Sequence, residues 1–557
     1  MNKDKSEDIK GGYQAQLHSE FKPDFPDHKA TNDTCPSESD KNRKLKELFD
    51  RLWRAADELR ANSRLRSTQY GTPVLGILFL RYADYKFKQA TEELKKKHTD
   101  SGCQIRKLDY QASGIIYLME KDRYEYLLQL PEGTNIGKAI DDAMRNIENE
   151  NEELRDVLPK VYTNMEDKVL INLLKLFHII PTELDRDVFG KIYEYFLGKF
   201  AMSEGQRGGE FYTPTSIVRL IVEVVEPYHG RILDPASGSG GMFVQSAEFV
   251  KDHLRNPYKE ISIYGQEKAE DIVRLCRMNL AIHGLSGDIR QGNTYYEDVF
   301  NMHGQFDFVM ANPPFNVNNV DKEAIRDDPR YFFGLPAVDN ANYLWIQVFC
   351  SMPNGNGRAG FVMANSASDA GFSELEIRKK IIKEGIMDVV ISVAPNFFFT
   401  VALPVTLWFI DKSKKNTNNE NKVLFIDARR TYNQLDRAHR EFTSQQIEFI
   451  SNIVRLYREK EIETKNCSKE LILKNFPDLK YRDVEGLCKV KTIEGIEQQD
   501  WSLNPGRYVG YAVSKHDPVD FELRIKELRS QLELLNSQSY ELGKEIIDSM
   551  RRILGES

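Results

Sequence analysis

Paired cysteines are missing from this sequence. Its six cysteines (Cys35, Cys103, Cys276, Cys350, Cys467 and Cys488) are scattered singly along 557 residues, with no Cys-X-X-Cys and no histidine at zinc-ligand spacing. That argues against a zinc ribbon or a dithiol redox motif and suits a cytoplasmic protein. No Pro-Cys dipeptide occurs, which weighs against a cysteine nucleophile of the cytosine-C5 type. An uninterrupted apolar run is also lacking. The most apolar stretch, Val389 to Ile410, is broken by Pro395, Asn396 and Pro404, and reads as two buried strands and a loop, so no membrane segment is predicted. Positive charge is not in excess: the formal net charge is -8. A chain that gripped nucleic acid alone would be expected to carry the opposite balance, because phosphate neutralisation supplies most non-specific affinity.

The remaining composition, 41% hydrophobic, 11% aromatic and 29% charged, is that of a folded protein with two or three domains. Residues 1–43 are polar, carry no apolar core and read as a flexible extension. From 44 to about 200 the pattern is helical, with Leu48, Phe49, Leu52, Trp53, Ala56 and Leu59 at three- and four-residue steps. Between 201 and 510 apolar strand runs alternate with amphipathic helices: Arg231–Asp234, Ile261–Tyr264, Phe306–Met310, Arg358–Met363 and Met387–Ile391. This alternation predicts an α/β domain with a mostly parallel, Rossmann-like sheet. The polar run Lys412–Lys422 reads as a hairpin loop between Leu407–Ile410 and Val423–Ile426. Residues 511–557 carry a heptad-like seam (Phe521, Ile525, Leu528, Leu532, Leu535, Ser539, Leu542, Ile546), which wants a partner helix or folds back on its own domain.

The chemistry concentrates at two turns. Arg231-Ile-Leu-Asp234 runs directly into Pro235-Ala-Ser-Gly-Ser-Gly-Gly241, small residues that let a ligand approach the backbone and the next helix N-terminus. A dinucleotide fingerprint starting at Gly238 would need glycine at position 243, which is Phe243. No Gly-Lys pair is followed by the Ser or Thr of a P-loop. With NAD and ATP disfavoured, S-adenosylmethionine (SAM) fits: it has no pyrophosphate and needs close packing plus an acid for its ribose hydroxyls. Asp234, Ser237, Gly238 and Ser239 form the turn, and Glu267 follows the next strand. Upstream, Gly209-Glu-Phe-Tyr-Thr-Pro214 precedes an apolar helix whose free N–H groups can hold the methionine carboxylate, although simple helix capping is the better explanation of that segment taken by itself.

The second turn, Asn312-Pro-Pro-Phe315, stands at the carboxyl end of the strand Phe306–Ala311. The exocyclic amine of adenine shares its lone pair with the ring and is a poor nucleophile unless acceptors draw it toward tetrahedral geometry. The Asn312 side-chain oxygen and the Pro313 carbonyl can supply two acceptors, the diproline fixes their direction, and Phe315 can stack on the base. A base buried in duplex DNA must first be flipped out, at about a few kcal/mol. No metal is needed. Asn-Pro-Pro alone is usually a turn; its combination with the Gly-rich turn and Glu267 is what carries the reading.

At these motifs the chain resembles the modification (HsdM) subunits of type I restriction-modification systems. The matching stretches include Leu52–Arg60, Asp187–Tyr195, Gly209–Pro214, Asp234–Gly241, Asn312–Phe315, Ala341–Ile346, Gly357–Phe361 and Leu503–Tyr508. The resemblance implies an adenine-N6 DNA methyltransferase in which Glu210, Phe211, Tyr212, Thr213, Pro214, Thr215, Ser237, Gly238, Ser239 and Glu267 bind SAM and Asn312–Phe315 receive adenine. It also implies a second copy of the chain, a DNA-reading specificity (HsdS) subunit and a separate restriction (HsdR) subunit as partners. Delegated recognition would account for the acidic balance. Two positions depart from the family pattern. Asn293 stands where an acid is common, and Asn396–Ala402 keeps an aromatic run without the usual Gly-Thr-Gly. Phe398 or Phe399 is expected either to stack on the base or to serve as a core aromatic. Other readings are a methyltransferase for a protein glutamine amide or for RNA adenine, and a non-catalytic scaffold of the same fold.

Overall fold

The computed structural model describes residues 39–61, 67–98, 105–180, 188–203, 212–398, 404–436 and 439–510, with scattered positions between 529 and 539. The first helix begins at Ser39, inside the stretch read as an extension; residues 1–38 lie outside the described residues, as do Glu210, Phe211, Phe399 and most of the heptad positions. Leu532, the heptad leucine that is described, is exposed. The chain through Gly510 forms one compact unit, and 511–557 a second.

Periodic apolar residues fold the first part into helices, among them Ser39–Ala61, Ser67–His98, Ile136–Glu150, Asp167–His178 and Val188–Ser203. Their inward faces meet in one apolar cluster containing Leu52, Ala56, Ile77, Phe79, Ile140, Leu173 and Phe196. Each of these leucine, isoleucine and phenylalanine side chains, fully buried, contributes about 1.5–3 kcal/mol. Helix Glu270–Ile282 joins this cluster to the sheet: Met278 and Ile282 face the helices, whereas Val273, Cys276 and Leu280 face the strands.

The α/β part is built on a nine-stranded sheet. Its strands are β1 (Gly230–Asp234), β2 (Ile261–Glu267), β3 (Asp288–Gln291), β4 (Phe306–Ala311), β5 (Pro353–Ala364), β6 (Met387–Val393), β7 (Val405–Asp411), β8 (Lys422–Asp427) and β11 (Cys488–Thr492). Two short strands, β9 (Asn433–Gln434) and β10 (Arg440–Glu441), pair separately. The order is β11-β8-β6-β7-β5-β4-β1-β2-β3. β1, β2, β3, β4 and β5 pair in parallel, as do β6 and β8; β7 runs antiparallel to β5 and β6, and β11 to β8. This is the mostly parallel, Rossmann-like arrangement expected, with helices on both faces. Every residue of β6 and β7 is buried, as strands covered on both sides require.

One expectation fails. Lys412–Lys422 does not close a hairpin, because β6 lies between β7 and β8 and pairs with each. Strand adjacency is set by long-range pairing, and two apolar runs flanking a polar loop do not reveal a third strand between them. Among the described cysteines, Cys276, Cys350 and Cys488 are buried thiols. Among the described residues, no helix is long and apolar enough to cross a membrane.

Candidate active site

Parallel register brings both turns to one edge of the sheet. Asp234 at the end of β1 pairs with Gly265 of β2, Glu267 pairs with Gln291 of β3, and Leu233 pairs with Val309 of β4. The Gly-rich turn, Glu267, Asn293 and Asn312 therefore all follow the carboxyl ends of adjacent strands, where open α/β sheets bind ligands. There they line a cavity of about 320 Å³.

The Gly-rich turn is held from several sides. Ser237 N–H donates to the Gln266 carbonyl (3.0 Å) and Gly240 N–H to the Ser237 carbonyl (2.8 Å). Glu267 Oε2 accepts from Gly238 N–H and Oε1 from Ala269 N–H, both at 3.1 Å. Asn279 Nδ2 donates to the Ser239 carbonyl (2.8 Å), and Thr294 Oγ1 to the Pro235 carbonyl (2.5 Å). Gly240 starts helix Gly241–Asp252 with φ +84, and a Cβ there would sit 2.9 Å from Cys276 Sγ, so glycine is required on both counts. Asp234 is buried and accepts from Ala236 N–H (3.0 Å); burial, with Glu267 nearby, pushes its carboxyl well above the usual range.

On the opposite wall, helix Thr215–Val225 begins after Pro214, whose carbonyl accepts from Ile217 and Val218; no side chain caps its first turn. Tyr212, Thr213 and Thr215 line the cavity beside this N-terminus. Burial pushes the Tyr212 phenol up to about 12.

Asn312 and Pro314 line the cavity; Pro313 is buried, and Phe315 is partly buried between the apolar layers on either side of the sheet. Asn312 Oδ1 is buried and has no hydrogen-bond partner within the protein. A buried acceptor left unpaired in this way normally costs on the order of 1–3 kcal/mol, and its residue lines the cavity. The loop after Phe315 is pinned by Ala341 N–H to the Val317 carbonyl (2.9 Å) and by the Asn342 side chain on Asn316.

Asn293 lines the cavity, with its Oδ1 accepting from Tyr295 N–H (3.2 Å) in a tight turn. Phe398 does not line it. Phe398 is buried in the apolar layer on the helix Thr215–Val225 side of the sheet, which makes it a core aromatic. The cavity also has walls to which the sequence reading assigned no role: Glu194 and Leu197, Gln245, Asn279, and Tyr295 with Trp345, whose Nε1 donates to the Tyr295 hydroxyl (2.7 Å). Glu194 and Trp345 both fall within stretches that carry the family resemblance, which was the one available signal.

Sheet order and cavity together define a methyltransferase of the Rossmann-like class. The chain belongs to the N-6 DNA methylase family, whose model matches residues 184–517, and the model of the HsdM N-terminal domain matches residues 48–177. It is thus an HsdM-type adenine-N6 DNA methyltransferase. It is 37% identical to the type I restriction enzyme MjaIX methylase subunit of Methanocaldococcus jannaschii, over 90% of this chain and 91% of that one. Identity to the HindI methylase subunit of Haemophilus influenzae is 36%, over 75% and 93%. The crystal structure of a type I restriction-modification methyltransferase subunit from Streptococcus thermophilus superposes with a TM-score of 0.66 at 22% identity, covering 84% of this chain and 99% of that one, which supports the fold. The matched range begins before helix Val188–Ser203, which packs into the core of the helical part.

Proposed function

We propose that this cavity binds SAM and presents its methyl group to an adenine flipped out of DNA and seated against Asn312. The observation that carries the reading is the unpaired Asn312 Oδ1, on a residue that lines the same cavity as the Gly-rich turn and Glu267. The lining fits such a donor: small residues at 236–241 leave room along the backbone, Glu267 offers acceptor lone pairs for ribose hydroxyls, and a helix N-terminus offers N–H groups and a positive dipole end to a carboxylate. Bound there, SAM supplies an electrophilic methyl group on a sulfonium. The protein's own work is then positional. Asn312 Oδ1 and the Pro313 carbonyl accept from the exocyclic amine, orienting its lone pair, and the buried proline holds both acceptors still. A side-chain amide does not take up a proton near neutral pH, so Asn312 acts as an acceptor and not as a general base. Pro314, Val317, Tyr295 and Trp345 offer flat or apolar surface to the base.

Target choice falls to a specificity (HsdS) subunit, with a restriction (HsdR) subunit and a second copy of this chain completing the complex. The acidic balance supports this division of labour. The test mixes the full chain with labelled SAM, duplex DNA and the specificity subunit encoded beside it. Adenine becomes labelled only when the specificity subunit is present, and Asn312→Ala lowers turnover on the order of a hundredfold while the chain still binds SAM. Equal labelling by the chain alone, or persistent labelling by Asn312→Ala, would reject the respective assignment.

A further inference from the structure

Helix Val188–Ser203 turns Phe189, Ile192, Tyr193 and Phe196 into the helical core, but part of it reaches the cavity. Glu194 and, one turn on, Leu197 line the cavity, and Gly198 lies so close to Tyr212 that a Cβ there would be 3.0 Å from the ring Cζ. The Glu194 charge acts on the Tyr212 phenol, raising its pKa further after burial. On its other side Glu194 lies 3.7 Å from His283 Nε2, and His283 Nδ1 meets the carbonyl of Asn279, the residue whose amide holds Ser239. A carboxylate from a helix outside the sheet thus stands beside Tyr212, at the end of the cavity where helix Thr215–Val225 begins.

We propose that Glu194 is a cofactor ligand whose carboxylate receives the α-ammonium of the SAM methionine. The inference rests on the cofactor reading above and extends it. An amino-acid zwitterion needs two opposite partners. A helix N-terminus favours the α-carboxylate and disfavours a cation, so the ammonium requires an anion nearby. Three acids lie among the described lining residues. Glu267 braces the Gly-rich turn through the Gly238 and Ala269 amides, and Asp234, at the start of that turn, accepts from the Ala236 amide. Glu194 is the acid on the wall shared with Tyr212, Thr213 and Thr215. An ammonium–carboxylate contact in a largely enclosed cavity is a charge-assisted hydrogen bond, which corresponds to about tenfold or more in affinity.

The experiment titrates the full chain, wild type and Glu194→Gln, with SAM, with an analogue lacking the α-amino group, and with 5′-methylthioadenosine, which lacks the amino-acid tail. Glu194→Gln is expected to weaken SAM at least about tenfold while changing methylthioadenosine less than about twofold. The desamino analogue should already bind wild type weakly and lose nothing further in the variant, the signature of a coupled pair. Equal loss for all three ligands would show that Glu194 only supports the fold through His283, and an unchanged SAM affinity would likewise overturn the proposal. If Glu194→Gln fails to fold, the wild-type comparison decides: equal affinity for SAM and its desamino analogue rejects the ammonium contact. Failure of wild type to bind either SAM or methylthioadenosine would reject the cofactor reading itself.

Discussion

The Asn342 side chain grips Asn316 at two points: its Oδ1 accepts from the Asn316 backbone N–H and its Nδ2 donates to Asn316 Oδ1, each at 2.9 Å. Asn316 follows Asn312-Pro-Pro-Phe315 directly and has φ +54, a left-handed conformation that asparagine tolerates better than most residues. The pair therefore fixes where the Asn312–Phe315 turn ends. Asn342→Ala leaves the Asn316 N–H without that acceptor and should cost about 0.5–1.5 kcal/mol locally. We expect turnover to fall ten- to a hundredfold with little change in SAM affinity, and Asn342→Asp, which keeps the acceptor, to fall between. Steady-state methylation alongside SAM titration checks this; a loss confined to SAM binding would contradict it.

Gly240→Ala places a Cβ at φ +84, against Cys276 Sγ at 2.9 Å. Left-handed strain costs about 1–2 kcal/mol in itself and the clash adds to it. A lowered Tm and weaker SAM binding should follow, since the turn carrying Gly238 and Ser239 must shift. Gly240→Ala with Cys276→Ala removes the steric part alone, so the double variant should recover part of the Tm and not all of it. Full recovery would mean that backbone strain is unimportant here.

Both turns were legible because their chemistry is local. Asp234–Gly241 needs small residues, Asn312–Phe315 needs an amide and a rigid diproline, and each abuts an apolar run that must be a strand. What escaped depends on distant packing. Trp345 reaches the cavity because helix Asn342–Ser351 packs against β5, and Glu194 does so because its helix lies beside Tyr212. A helical period identifies the face that is buried but not what the remaining edge meets. Phe398 shows the converse: an aromatic run beside an expected site supplied apolar core instead.

Glu223, on helix Thr215–Val225, gives the protein a pH dependence of known sign. Burial, and then the Glu463 carboxylate, push its pKa up to about 7 against the pull of Arg455, Arg219 and His253. The folded state thus holds a proton that the unfolded chain releases near the ordinary carboxylate value. Stability from this group is full below that value and declines as pH rises to about 7. Glu223→Gln stays neutral throughout. Its Tm should match wild type near pH 5 and exceed it by a few degrees at pH 8, as thermal melts across that range would show. A constant difference at every pH would mean that Glu223 ionises normally.

Glu267 joins two strand ends: its carboxylate accepts from the Gly238 amide of the turn after β1 and the Ala269 amide after β2, both at 3.1 Å. Each oxygen keeps a lone pair, so under the proposed cofactor reading the residue would both brace the turn and receive the ribose hydroxyls. The two roles separate by substitution. Glu267→Ala leaves two amides without this acceptor, and SAM affinity should fall well beyond tenfold together with Tm. Glu267→Gln preserves the side-chain volume and one acceptor but sets its NH2 against the other amide, so it should lose one brace as well as sugar recognition, with a smaller fall in Tm than Glu267→Ala. Wild type should bind 5′-methylthioadenosine about tenfold more tightly than its 2′-deoxy counterpart, and Glu267→Gln should narrow that ratio. An undiminished ratio in Glu267→Gln would assign Glu267 to the turn alone and leave ribose recognition to another group on the cavity wall.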